Sequence, residues 1–233
     1  MKITHLITRI RVLAVLALLA STGAHADLMY ARLGGAAVYD ATTNLTWASN
    51  ANLAATNAFG VSGIDPDGHM TWAIANSWIA GMDAANYLGY NNWALPTTLQ
   101  PDATCGTQSG GVSSGYGCTG SQMGNLFYNG LGGLAGSSIT TTHNANYNLF
   151  SNFQFNYYWS GTEYAPDTYV VGIFHLGIGG QDAELKGFSH YALAVRPGDV
   201  GGGPSAVPEP ASVALLGIGL LGLMRVRRRK QAA

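Results

Sequence analysis

The side chains able to do chemistry in this chain are few, and their spacing excludes more than it offers. His69, His143, His175 and His190 stand far apart, with neither a His-Glu-x-x-His pair nor a Cys/His spacing that would collect a metal. Asp65-x-Asp67-Gly68 begins like a calcium loop but lacks the distal bidentate glutamate, so it reads as a turn. Glu163 with Glu184, or Asp167 with Asp182, are carboxylate pairs of the kind glycoside hydrolysis uses, but a sequence carries no separation between them. The stronger lead is aromatic. Tyr157, Tyr158, Trp159 and Tyr164 cluster with Asn156 and Glu163, and Trp93 stands beside Asn91 and Asn92. Sugars present apolar C–H faces with a rim of hydroxyls, which suits aromatic platforms beside amides and carboxylates. Asn156, Tyr157, Glu163 and Tyr164 are therefore the candidate glycan contacts, while Trp93 and Trp159 read as core. No catalytic residue, metal or cofactor is assigned.

Charge narrows the partners. Of the 11 lysines and arginines, three lie in the first 26 positions and five in the last nine. The segment 27–206 keeps only Arg32, Lys186 and Arg196 against 11 acidic residues, a net charge of −8. Such a surface repels phosphate backbones, which excludes nucleic acid as a partner. Cys105 and Cys118 are the two cysteines, and in an exported chain they predict a disulfide. It would close a loop of about 14 residues, worth roughly 3 kcal/mol on the chain-entropy account. The enclosed Gly106–Gly117 is too rich in Gly and Ser to hold a shape by packing.

The elements that must position these residues are legible in part. Ala36–Asp40 and Leu45–Trp47, joined by Ala41–Asn44, predict an N-terminal hairpin. Thr71 is placed to cap a helix running to about Leu88, with Ile74, Trp78, Met82 and Ala85 as its core stripe and Gly89 as its stop. A second helix begins at Ser121, buries Met123, Leu126, Phe127 and Leu131, and ends at Gly130, Gly132 and Gly133. The last third predicts strands at Tyr157–Thr162, Tyr169–Leu176, Asp182–Lys186 and Tyr191–Arg196. Helices early and an antiparallel sheet late make the domain, residues 27–200, an α+β fold.

Both ends read as addresses. Lys2, Arg9 and Arg11 precede the apolar Val12–Ala20, and Ala24-His25-Ala26 follows as a cleavage site. That is the anatomy of a secretory signal peptide over residues 1–26, which predicts use of the Sec export machinery and a mature start at Asp27. At the other end a Gly/Pro/Ser linker (201–206) leads to Val207-Pro208-Glu209-Pro210, then the uncharged Ala211–Met224, then Arg225, Arg227, Arg228, Arg229 and Lys230. The 14 uncharged residues would rise roughly 21 Å as a helix, short of a hydrocarbon core of roughly 30 Å. The cations hold the terminus on the cytoplasmic side of the inner membrane.

This tripartite end resembles the PEP-CTERM sorting signal. The resemblance implies export, transient anchoring, cleavage near Pro208-Glu209-Pro210 by an exosortase-type enzyme, and association with exopolysaccharide and the extracellular matrix. Within the domain, Val38-Tyr39-Asp40 through Leu45-Thr46-Trp47, Asn92–Thr97, Tyr158–Thr162 and Ala194-Val195-Arg196 fall in an order that resembles the Lcl C-terminal domain family, over roughly Ala36–Gly198. It implies a C-type-lectin-like fold and, for some members, binding of glycans or glycosaminoglycans. Ala94 stands where the family usually has Arg, which removes a cation. Gln100-Pro101-Asp102 looks like part of a calcium-dependent sugar loop, but no Trp-Asn-Asp follows, so it reads as a turn. The function expected is an exported, non-catalytic, lectin-like protein. A glycan-active hydrolase using acidic residues and a purely structural matrix or adhesion protein stand as the alternatives.

Overall fold

The computed structural model describes residues 27–109, 112–164 and 167–201. The expected signal peptide (1–26), most of the linker and the sorting signal (207–233) lie outside the described residues. A first unit ends at Asp199 and a second begins at Val200; the fold below belongs to the first.

Two antiparallel sheets carry the domain. The first has strand order β1 (Met29–Arg32), β2 (Ala37–Asp40), β3 (Leu45–Ala48) and β9 (Val195–Pro197), so the last strand returns beside the N-terminal hairpin. The hairpin forms as expected because Asn44 accepts the positive φ (55°) that its turn needs. The second sheet runs β6 (Tyr157–Glu163), β7 (Val170–His175), β8 (Gly180–Leu185), with a register shift between Trp159 and Glu163. Between them lie helix α1 (Trp72–Ala84), the hairpin β4 (Thr107–Ser109) and β5 (Val112–Ser114), and the short helix α2 (Gln122–Asn125), which continues as a wider turn over Leu126–Gly130. Tyr191–Ala194, expected in the last strand, instead bridges the sheets: the Tyr191 carbonyl accepts from Trp159 N (2.9 Å) and the Ala194 carbonyl from Ala48 N (3.0 Å).

Strand alternation divides the interior into two cores. Tyr158 and Phe174 point to one, with Val38, Trp47, Met123, Leu126, Phe127 and Leu131; Trp159, Ile173 and Val171 point to the other, with Trp78, Met82, Trp93 and Met70. Trp93 and Trp159 are thus core residues, as expected. Ser121 caps α2, its hydroxyl accepting from Gly124 N at 2.9 Å. Helix α1 departs from expectation at its end. It stops at Ala84, because Asn86 (φ 54°) and Leu88 (φ 55°) turn left-handed. Ala85 is therefore exposed, and Ala75 and Ile79 complete the buried stripe. Thr71 stands at the N-cap without a side-chain cap bond. Among the described residues no helix is long and apolar enough to cross a membrane.

Candidate functional site

Sheet register assembles a site that local sequence does not announce. Tyr157 pairs with His175 across β6 and β7, and His175 with Gly180 across β7 and β8, which puts the three in one row. The next row is Trp159, Ile173 and Asp182, on the same face of the pleat. Trp159 and Ile173 are covered by the core beneath α1, whereas Asp182 is exposed and Tyr157 and His175 are half-buried. Gly180 leaves the row without a side chain at its end, and a Cβ there would lie 3.7 Å from the Tyr116 ring, itself exposed. The rings of Phe155 and Tyr157 meet His175 edge-on, at 5.2 and 4.8 Å between centroids. Phe155, Tyr157, His175 and Tyr116 thus form an aromatic platform at the β7–β8 turn.

Its rim is polar. The Asp67 carboxylate accepts from His69 Nδ1 (2.8 Å) and from His69 N (3.1 Å), which leaves Nε2 facing the Asn156 amide nitrogen at 3.4 Å. The His69 ring lies 3.9 Å from that of Tyr191. His190 meets Tyr157 and Trp159 edge-on, and its Nε2 is buried without a hydrogen-bond partner. Burial holds both His175 and His190 below the ordinary imidazole range, so neither is a ready cation at neutral pH; the Glu184 charge opposes this at His190 without reversing it. Burial pushes the Tyr157 hydroxyl up, and the charges of Asp182 and Glu184 add to it. The site therefore offers neutral rings, one amide and a carboxylate border. Such a surface can stack on a sugar and accept hydrogen bonds from its hydroxyls.

The four expected contacts do not sit together. Asn156 and Tyr157 open β6, and Glu163 and Tyr164 lie at its far end, roughly 20 Å away along the strand. There Glu163 pairs with Lys186 Nζ (3.0 Å), which stacks 4.3 Å over the Trp72 ring, and Tyr164 N bonds the Val170 carbonyl (3.0 Å). Glu163 and Glu184 both flank Val171, and Asp167 and Asp182 each accept from a neighbouring backbone N–H. His69, His175, His190 and Tyr116 are the contributors that sequence spacing missed; a turn signal at Asp65–Gly68 marked only the first of their positions. Val207, Pro208, Glu209 and Pro210 lie outside the described residues.

Three other motifs resolve as scaffold. Cys105 and Cys118 are joined in a disulfide. The Gln100 amide clamps Ser113, accepting from its N (2.7 Å) and donating to its carbonyl (2.8 Å), and the buried Asp102 carboxylate accepts from Thr104 N (2.9 Å) and Gly120 N (3.1 Å). The Gln-Pro-Asp oxygens are therefore spent on their own loop. Asp102 also lies near both sulfurs, which the disulfide withdraws from metal binding. Gly111-Val112-Ser113-Ser114-Gly115 has the spacing of a nucleophile elbow, yet Ser113 sits in a hairpin strand with no exposed surface, its hydroxyl donated to Gln108 Oε1 (2.6 Å).

Residues 36–196 match the Lcl C-terminal domain family and residues 206–230 match the PEP-CTERM protein-sorting motif. The chain belongs to the Lcl C-terminal domain family. Its sorting motif implies an exported protein that an exosortase-type enzyme processes at the membrane. No curated protein and no solved structure matches the chain.

Proposed function

We propose that residues 27–200 act outside the cytoplasm as a non-catalytic, C-type-lectin-like module that binds a glycan of the extracellular matrix or exopolysaccharide through the Tyr157 face. Residues 1–26 serve as the signal peptide that enters the Sec route. The 207–233 segment holds the chain in the inner membrane, with its basic end cytoplasmic, until an exosortase-type enzyme cuts near Pro208-Glu209-Pro210. The observation that carries the binding reading is the row Tyr157–His175–Gly180, with the Tyr116 and Phe155 rings exposed beside it. Asn156 and Asp182 border the row, as recognition of sugar hydroxyls requires. Against a hydrolase stands the Glu163–Lys186 ion pair, which engages one member of the acidic pair that flanks Val171.

The test uses processed protein purified from exporting cells, with pull-down on exopolysaccharide from the same cells. Retention is expected, and Tyr157→Ala is expected to weaken it about tenfold, by analogy with the about 1–3 kcal/mol that stacking of a nucleic-acid base on one aromatic ring is worth. Because Tyr157 also packs against the core and the rings of His175 and His190, far-ultraviolet circular dichroism of the variant verifies that it is folded at the assay temperature. No retention on any polysaccharide from the producing cell removes the binding claim.

A further inference from the structure

Every cation of the domain is already engaged. Among the described residues the basic side chains are Arg32, Lys186 and Arg196. Arg32 makes a two-point pair with Asp199, at 2.8 and 3.0 Å. Lys186 is held by Glu163 and the Trp72 ring. Arg196 is buried, donates to Asn92 Oδ1 (2.8 Å), and lies 4.0 Å over the Tyr90 ring. Ala94, at the edge near Val195, adds no cation and contributes only backbone bonds to that residue. A sulfated or carboxylated polysaccharide would find no free Lys or Arg among these residues, and would bring negative charge to a domain already at −8.

The platform leans the other way. Asp182 and Glu184 share its face, and each accepts only a local backbone N–H, from Ala183 and Leu185, with no basic side chain paired to either among the described residues. Register puts Asp182 in the row next to Tyr157–His175–Gly180 and Glu184 in the row beyond it on the same face, and both charges push the Tyr157 hydroxyl up. Aromatic faces attract cations as well as C–H groups. The exposed rings Phe155 and Tyr116 and the half-buried Tyr157 therefore add to the pull of the carboxylates on a positive group.

Resting on the glycan-binding reading, we infer that this face selects an amine-bearing glycan, one whose hexosamine units carry free protonated amino groups, over neutral and anionic polysaccharides. The sugar ring stacks on Tyr157 and the ammonium group donates to Asp182, with the charge of Glu184 one row further on adding to the attraction. The acetylated or unsubstituted sugar keeps the stacking and loses the charge contact; the sulfated sugar meets repulsion.

Calorimetric titration of the processed protein with three probes decides it: a glucosamine oligomer, a glucose oligomer of the same length, and heparin, at about pH 6, below the ordinary range of an amine. The glucosamine oligomer is expected to bind about tenfold more tightly than the glucose oligomer, and added salt is expected to narrow the gap. Asp182→Asn with Glu184→Gln should bring the two within about twofold, because the charge contact that only the glucosamine oligomer makes is lost while any hydroxyl contacts at these positions weaken for both oligomers alike. Asp182 is exposed and Glu184 half-buried, and an unchanged melting temperature verifies the fold. Equal binding of the glucosamine and glucose oligomers, or tighter binding of heparin, overturns the inference while the glycan reading stands. Failure to bind any of the three, with the exopolysaccharide also not retained, removes both.

Discussion

Ser113 has no exposed surface and still has to satisfy a hydroxyl and two backbone groups, and three glutamines with one aspartate do so. Gln100 pairs with its N–H and carbonyl, Gln181 Nε2 donates to the same carbonyl (3.1 Å), Gln108 Oε1 accepts from its hydroxyl (2.6 Å), and Asp102 N donates to its Oγ (2.8 Å). This polar knot holds the Gly- and Ser-rich loop that packing alone does not. Ser113→Ala leaves Asp102 N and Gln108 Oε1 without that hydroxyl, so denaturant unfolding should show a loss of about 1–3 kcal/mol. Histidine burial makes a second prediction at the same scale. His175 and His190 are held low in the folded chain by desolvation, so the unfolded chain takes up their protons first as pH falls through about 6.5. Their penalty is absent above that pH and grows below it. The urea midpoint should fall between about pH 7.5 and about pH 5.5, and fall less in the His175→Gln/His190→Gln variant. Around these rings stand Glu184, His69, Tyr157 and Trp159; Glu184 acts in the opposite direction at His190.

The elements owe their positions to unequal signals. Helix α1 supplies one wall of the core over Trp159, and Trp78, with no exposed surface, is its largest contribution; its Nε1 donates to the Asn57 carbonyl at 2.9 Å. Trp78→Ala should destabilise by about 3–5 kcal/mol in the same unfolding assay. The loop closed by Cys105 and Cys118 is short, and on the chain-entropy account reduction should cost about 3 kcal/mol, read as a drop in melting temperature on adding a thiol reductant. The hairpin β2–β3 and the buried face of α2 were legible in the sequence because their signals are local: a turn residue that accepts positive φ, a serine cap, and apolar residues at helical spacing. The end of α1 was not, because a helix-period stripe continues to Ala85 while Asn86 and Leu88 turn left-handed. Strands β4 and β5 escaped notice for a related reason. Their pairing is set by side-chain clamps from Gln100 and Gln181, the latter 68 residues away in sequence from Ser113.

For the whole molecule the sorting motif makes the prediction. Comparison of the chain's mass in wild-type cells and in cells lacking the sorting enzyme should show a loss near Pro208-Glu209-Pro210 only in the former; an intact tail in both would favour a permanent anchor. What the sequence determined by itself is what a linear segment can carry: the motif over 206–230, the family match over 36–196, and the scarcity of basic residues between 27 and 206. These depend on residue order and composition, and need no contact between distant positions. Only the tertiary structure decided the site. Asn156 and Tyr157 were visible as a polar–aromatic pair, but Glu163 and Tyr164, close to them in sequence, stand at the opposite end of an extended strand, where Glu163 meets Lys186. Tyr116, His69 and His190 come to Tyr157 from other parts of the chain through sheet register and the closing of loops. Register is a property of pairs of strands, and a slip of one residue would turn every side chain of the row to the other face, so no single segment encodes it.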